Sequence, residues 1–204
     1  MGLVKKCLSV ILLLQLFVIG GCNEHERNYA LEVSELNFTL LLEGEALGHD
    51  GYREELEKLI NLADSNNPIA QERYADILLR TGNKKEAIRY LESAISLDYT
   101  LANETLGAVY FDSGKRGDLV KSIEYFLVAA EGDIASSQTF LALCFKDKDC
   151  KFPNNRYLAN YWLSRAISNK EPSATFFADE LESIEYTKDK TEQESQKVIR
   201  ALKG

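Results

Sequence analysis

Proline and histidine are scarce in this chain, three and two residues among 204, and basic residues fall short of acidic ones, 24 against 32. The composition, 45% hydrophobic and 27% charged, is that of a globular chain, and its length suits one domain better than two. The two histidines, His25 and His49, lie in the N-terminal quarter with no ligand-spaced partner, which argues against a histidine-based metal centre and leaves them as solvated turn residues. The formal charge of −8 disfavours a protein surface built to grip nucleic acid or an anionic bilayer. Runs of alternating Val, Ile and Thr bounded by turns are missing, so nothing argues for strands. Missing too are G-x-S-x-G, S-x-x-K, H-E-x-x-H and any glycine-rich phosphate loop. Acid pairs such as Glu54-Glu55 and Glu180-x-Glu182 have the spacing of solvated helix faces. The expectation is a protein without catalytic residues, metal or cofactor.

What is present begins with Lys5 and Lys6, followed by an uncharged run, CLSVILLLQLFVIGG, from Cys7 to Gly21. Its 15 residues would make a helix of roughly 22 Å, whereas a bilayer span needs about 20 residues. That length fits the apolar part of an export signal, with an ordinary secretory signal or a signal anchor as the other readings. The run closes on Ile19-Gly20-Gly21-Cys22, which resembles the bacterial lipobox: an aliphatic residue, two small residues, then the cysteine. The resemblance implies a signal peptide over 1–21, cleaved before Cys22, whose thiol carries diacylglycerol. Residues 22–30 then read as a lipidated tether, and the membrane is met through the lipid alone. Asn23 stands where enterobacterial lipoproteins kept in the inner membrane carry aspartate, so the implied location is the outer membrane, facing the periplasm. Residues 1–21 hold two lysines and no acid, which leaves a charge of about −10 beyond them.

From Ala30 onward the pattern is helical. Breaks fall at Gly48-His49-Asp50-Gly51, Asn66-Asn67-Pro68, Gly82-Asn83, Gly114, Gly117, Pro153-Asn154-Asn155 and Glu171-Pro172. Two residue series recur between them. The first is Tyr74-Ala75-x-x-Leu78, Leu106-Gly107-x-x-Tyr110, Leu141-Ala142-x-x-Phe145 and Phe177-Ala178-x-x-Leu181, offset by 32, 35 and 36 residues. The second is Ala87-x-x-Tyr90-Leu91-x-x-Ala94, Ser122-x-x-Tyr125-Phe126-x-x-Ala129 and Leu158-x-x-Tyr161-Trp162-x-x-Arg165-Ala166, offset by 35 and 36. A big-small pair on one helix and an aromatic pair on the next, returning at this period, predicts an all-α helical-hairpin solenoid. The small residue admits a close helix crossing, and its bulky neighbours fill the groove beside it.

These residues resemble the SEL-like repeat, a relative of the tetratricopeptide repeat, over about 66–182. The unit from Ala102 to Gly132 carries the likeness best, through Ala102, Leu106, Gly107, Tyr110, Gly114, Tyr125, Ala129, Ala130 and Gly132. The expected domain covers 31–204, with units at about 68–97, 100–132 and 135–169 and a partial one at 172–184. The third unit carries an insert from Lys146 to Arg156. Segments 30–47 and 52–63 are expected as an N-terminal hairpin, and Lys190–Leu202 as a polar capping helix.

Cys144 and Cys150, six apart, are expected to form a local disulfide that pins the insert in an oxidising compartment, with two free thiols as the other reading. Function has to be argued from architecture. A helical solenoid offers an extended surface for protein partners. Three readings stand: an immunity protein that neutralises a lipase-type effector of type VI secretion, as the resemblance to small lipoproteins with SEL-like repeats implies; an envelope scaffold or assembly accessory; and an enzyme of unrecognised type. In the first, the aromatic faces and the insert would occlude the toxin.

Overall fold

In a computed structural model the described residues are 24–34, 36, 51–180 and 185–203, and among them every regular element is a helix. The leader, Cys22 and most of the 30–47 segment lie outside these residues. In chain order the helices are α1 (Glu24–Ser34), α2 (Tyr52–Asp64), α3 (Pro68–Arg80), α4 (Lys84–Ser96), α5 (Leu101–Ser113), α6 (Arg116–Glu131), α7 (Ala135–Lys146) and α8 (Arg156–Ser168). A four-residue α9 (Pro172–Thr175), a 3-10 turn (Ala178–Glu180) and α10 (Lys188–Lys203) complete them. Residues 24–30, expected as a tether, are therefore helical.

The breaks have local causes. Pro68 and Pro172 each open a helix, where the missing N–H costs nothing and the fixed φ already suits the turn. The side chain before each accepts from the exposed first-turn amides: Asn67 Oδ1 takes Ile69 N and Ala70 N, both at 3.1 Å, and Glu171 Oε1 takes Ser173 N at 3.4 Å. Gly82 and Gly114 close α3 and α5 at φ of 83° and 64°, a region that suits a residue without Cβ.

The chain divides into two compact units at Tyr74/Ala75, inside α3. In the first, α1 packs on α2, and Asn67 Nδ2 donates to Tyr29 O at 3.1 Å and to Glu32 Oε2 at 2.9 Å. Leu59 and Ala63 are fully buried there. In the second unit α4 packs on α5, α5 on α6, α6 on α7 and α7 on α8, each helix against the next in sequence. Apolar residues of α4 and α6 lie inward: Ala87, Leu91 and Ala94 are buried with Ile88 and Ile95 half-buried, and Leu119, Ile123, Phe126, Leu127 and Ala130 are buried. Helix α10 crosses α6 and α8, burying Val198, Ile199 and Leu202. Arg116 ties its end down by donating Nε to Leu202 O at 2.7 Å and Nη2 to Ala201 O at 3.2 Å.

One turn recurs. Asn66, Asp98, Asp133 and Lys170 all take left-handed φ near 60°, each just after a second helix of a pair. At each, the following amide reaches back five residues: Asn67 N to Leu62 O, Tyr99 N to Ala94 O, Ile134 N to Ala129 O and Glu171 N to Ala166 O, all at 3.0 to 3.1 Å. The left-handed residue's own amide bonds three residues back, to Ala63, Ile95, Ala130 and Ile167. This is a Schellman closure, and it satisfies helix-end carbonyls that burial would otherwise leave unpaired. A non-glycine residue in this region costs about 1–2 kcal/mol, which the two bonds offset.

Candidate functional site

The insert is the feature that breaks the hairpin rhythm. Helix α7 ends at Lys146 and α8 opens at Arg156, the limits the sequence predicts. Two main-chain fixings hold the loop between them: Asn155 N donates to Phe145 O at 2.8 Å, and Asn154 Nδ2 to Lys146 O at 2.7 Å. Asn155 then caps α8 by accepting Leu158 N at 3.0 Å, while its amide group donates to Glu194 Oε2 of α10 at 3.0 Å. Phe152 carries the loop into the core, 3% exposed, with its ring edge-on to Phe111 and Phe140 at 5.3 and 6.1 Å between centroids. Phe140 in turn stacks on Phe126 at 4.2 Å. Lys151 donates to Phe111 O at 2.7 Å and lies over its ring.

Cys144 and Cys150 lie at disulfide distance, their Cα atoms 5.3 Å apart, so helix and loop are placed for the bond the sequence predicts.

Beside this loop a cleft of about 270 Å³ opens between α7 and α8. Ala142, Leu143, Ala159, Leu163 and Phe177 form its apolar walls; Lys146, Lys148 and Arg156 stand with Asn154 and Asn160 around it. No acidic side chain is among these lining residues. Lys146 Nζ sits 5.8 Å from the Phe177 ring centre, so a cation is held at the apolar wall.

The residues expected to carry the repeat packing fall into three groups. Ala75, Leu106, Gly107, Phe126, Leu141, Ala142 and Trp162 are buried. A Cβ at Gly107 would come within 3.0 Å of Phe126 Cδ2, and Gly107 O accepts Ser122 Oγ at 2.8 Å, so α5 and α6 touch where a small residue is expected. Tyr74, Tyr110, Tyr125 and Tyr161 are half-buried. Tyr110 and Tyr125 stack with centroids 5.8 Å apart, and burial pushes the Tyr125 hydroxyl pKa up, helped by Tyr110 and by Glu92 and Glu124. Phe177 and Ala178 depart from the pattern. Ala178 is exposed on the 3-10 turn and Phe177 lies in the cleft wall, because the helix begun at Pro172 ends after one turn. Its next residue, Phe176, is 86% exposed, so there is no inward stripe to continue on. Residues 181–184 of the expected partial unit lie outside the described residues.

Several buried polar residues escape a reading of apolar periodicity. Gln71, Asn103 and Gln138 occupy matching places on α3, α5 and α7, three residues before Tyr74, Leu106 and Leu141, and all are buried. Gln71 Nε2 donates to Ala63 O at 3.1 Å, and Gln138 Nε2 to Ala130 O at 2.9 Å, each the carbonyl of a preceding helix end. The shorter Asn103 reaches only Thr100 O, at 3.2 Å. Their return at offsets of 32 and 35 is the signal that finds them. Gln138 also joins a surface network in which Asn169 Nδ2 and Arg165 donate to Asp133. The hydrogen bond from Asn169 is the main cause that holds the Asp133 carboxyl below its ordinary pKa.

No protein-family model, curated protein or solved structure matches the chain. Among the described residues there is no group of three His, Cys, Asp or Glu side chains placed to hold a metal ion, and no helix long and apolar enough to cross a membrane.

Proposed function

We propose that this chain is a lipid-anchored envelope protein that uses helical-hairpin repeats to hold a protein partner. The observation that carries the repeat part is the turn at Asn66, Asp98, Asp133 and Lys170, with the same two backward hydrogen bonds each time and offsets of 32, 35 and 37. The closure is a common helix ending, and Gly82 after α3 makes the same pair of bonds; what supports the repeat is its return after each second helix at this period. The matched burial of Gln71, Asn103 and Gln138 supports the same reading from side chains. A stack of this kind buries its core between neighbours and leaves its rims for recognition.

Anchoring rests on Ile19-Gly20-Gly21-Cys22: the acylated Cys22 holds the chain on the outer membrane, facing the periplasm. The specific function that joins these parts is immunity. A tethered binder without catalytic residues, held in the compartment that a secreted lipase attacks, protects by occupying the toxin. A rigid stack loses little conformational freedom on binding, which favours tight association. The test is to express the product of the adjacent gene in the periplasm with and without this protein. Restored growth together with a co-purifying complex is the expected result. If the neighbour is harmless, or kills equally in both strains, immunity fails for that pair and an assembly scaffold takes its place.

A further inference from the structure

We infer that the groove across α6 and α8 is the seat for an amphipathic helix of the protein partner, and that α10 fills it while the partner is away. The inference rests on the partner-holding reading above and names the surface and the kind of segment it takes. Helix α10 is not placed as a cap, which would cover both helices of the last hairpin, α7 and α8. It packs chiefly on α6 and α8, the second helices of two successive hairpins, and so lies across a face of the stack. Grooves of this kind receive a helix through one apolar stripe.

The way α10 is held leaves it exchangeable. Of its 16 residues only Thr191, Val198, Ile199 and Leu202 are buried, whereas α6, of equal length, buries eight. The three aliphatic side chains fall within its last two turns and join the cluster that contains Leu119 and Ile123 of α6 and Leu158 of α8. The polar fastenings ask little of the sequence of α10. Arg116 donates to the main-chain carbonyls of Ala201 and Leu202, which the C-terminus of any helix leaves open. Asn155 Nδ2 donates to the Glu194 carboxylate, about 12 Å back along the helix from Leu202. The groove therefore selects a helix with apolar residues at i, i+1 and i+4 in its final turns, a carboxylate at i−4 and open carbonyls at its end. A partner helix with this pattern and a longer apolar stripe displaces α10, because each polar group of the groove regains an equivalent bond while more apolar surface is covered.

The test uses the full chain in neutral detergent micelles and, as probe, a fluorescein-labelled peptide of residues 185–204. In the parent the groove is filled, so the probe should bind weakly. In the Ile199→Asp chain the internal helix is loosened, and the unaltered probe should bind at least about tenfold more tightly, whereas a probe carrying the same substitution should not bind. Equal affinity of parent and variant for the probe, or no saturable binding by the variant, overturns the inference. Should Ile199→Asp fail to fold, Leu202→Ala is the milder loosening, and amide exchange in the parent decides without a variant. There the amides of α10 should exchange at least about tenfold faster than those of α6 and α8; one common rate makes α10 part of the core and overturns the inference. Co-purification of two differently tagged copies of the parent through this groove also overturns it, since the occupant is then a second copy. The neighbouring gene product should bind the Ile199→Asp chain more tightly than the parent. If it binds both alike, the groove assignment falls while the partner-holding reading stands.

Discussion

Gly107 sits where α5 presses on α6, and the cost of filling it can be worked out from its neighbours. A Cβ there would meet Phe126 Cδ2 at 3.0 Å and Cγ and Cε2 at 3.2 Å, tighter than ordinary van der Waals contact. The ring cannot swing away freely, because Phe126 is 4% exposed and stacked on Phe140. Gly107→Ala therefore sets a helix-propensity gain of about 1 kcal/mol against a clash of similar size, and should be close to neutral. Gly107→Leu keeps most of that gain but forces three further carbons into the contact, where overpacking reaches about 3 kcal/mol, for a net loss near 2 kcal/mol. At this chain length that lowers the thermal midpoint by about 4–8 °C. The control is Gly117, on the first turn of α6 with nothing near its Cβ position, where Gly117→Ala should stabilise slightly. Trp162 is the sole tryptophan and is 1% exposed, so its fluorescence follows unfolding of the second unit. The decisive measurement is a double-mutant cycle with Phe126→Leu, which should recover about 1 kcal/mol in the Gly107→Leu background. An unmoved midpoint in Gly107→Leu, or strictly additive effects with Phe126→Leu, would refute the packing argument.

Cys22→Ser should abolish palmitate labelling and release the protein from the membrane fraction; undiminished labelling defeats the anchor reading. Mass spectrometry of protein isolated without reductant should find Cys144 and Cys150 linked, and the six-residue loop limits the stabilisation to about 2 kcal/mol. Full alkylation of both thiols under those conditions would show that the loop is held by its other contacts alone. Asp133 titrates below its ordinary pKa in the folded protein, chiefly through Asn169, so its contribution is present above the unfolded pKa and is lost as pH falls through the folded one. Asp133→Asn keeps a residue tolerant of the left-handed φ, and should flatten the fall in stability below about pH 4. An acid limb unchanged by that substitution assigns the fall to other carboxylates, of which Glu194, held down chiefly by Lys197, is the next to replace.

Hairpin boundaries were legible because their signals are local. Pro68, Gly82, Gly114 and Pro172 act on the few residues around them, and a period near 35 orders what lies between. The contact at Gly107 was legible for the same reason, since a small residue between large ones has few other uses inside a helix. Ala178 misled because its sequence neighbourhood matches Ala142 while its helix does not continue: exposure of Phe176 depends on what surrounds it in space, and no spacing rule encodes that. The cleft was hidden for a related reason. Its residues run from Ala142 to Phe177 and include two lysines and an arginine that read singly as solvated charges. Only the return of the chain after α8 sets Phe177 beside Lys146.

Helix α10 gives the second unit an order of assembly. The contacts between consecutive helices are short in sequence, but Arg116 waits for Leu202, 86 residues further on. Each doubling of a loop adds only about 0.6 kcal/mol of closure entropy, so this late clasp costs little at equilibrium. Its effect is on timing. The apolar stripe of α6 and α8 that receives Val198, Ile199 and Leu202 is covered only once α10 has been made. The second unit can form its early helices and still remain loose, and it closes over this stripe only when α10 arrives.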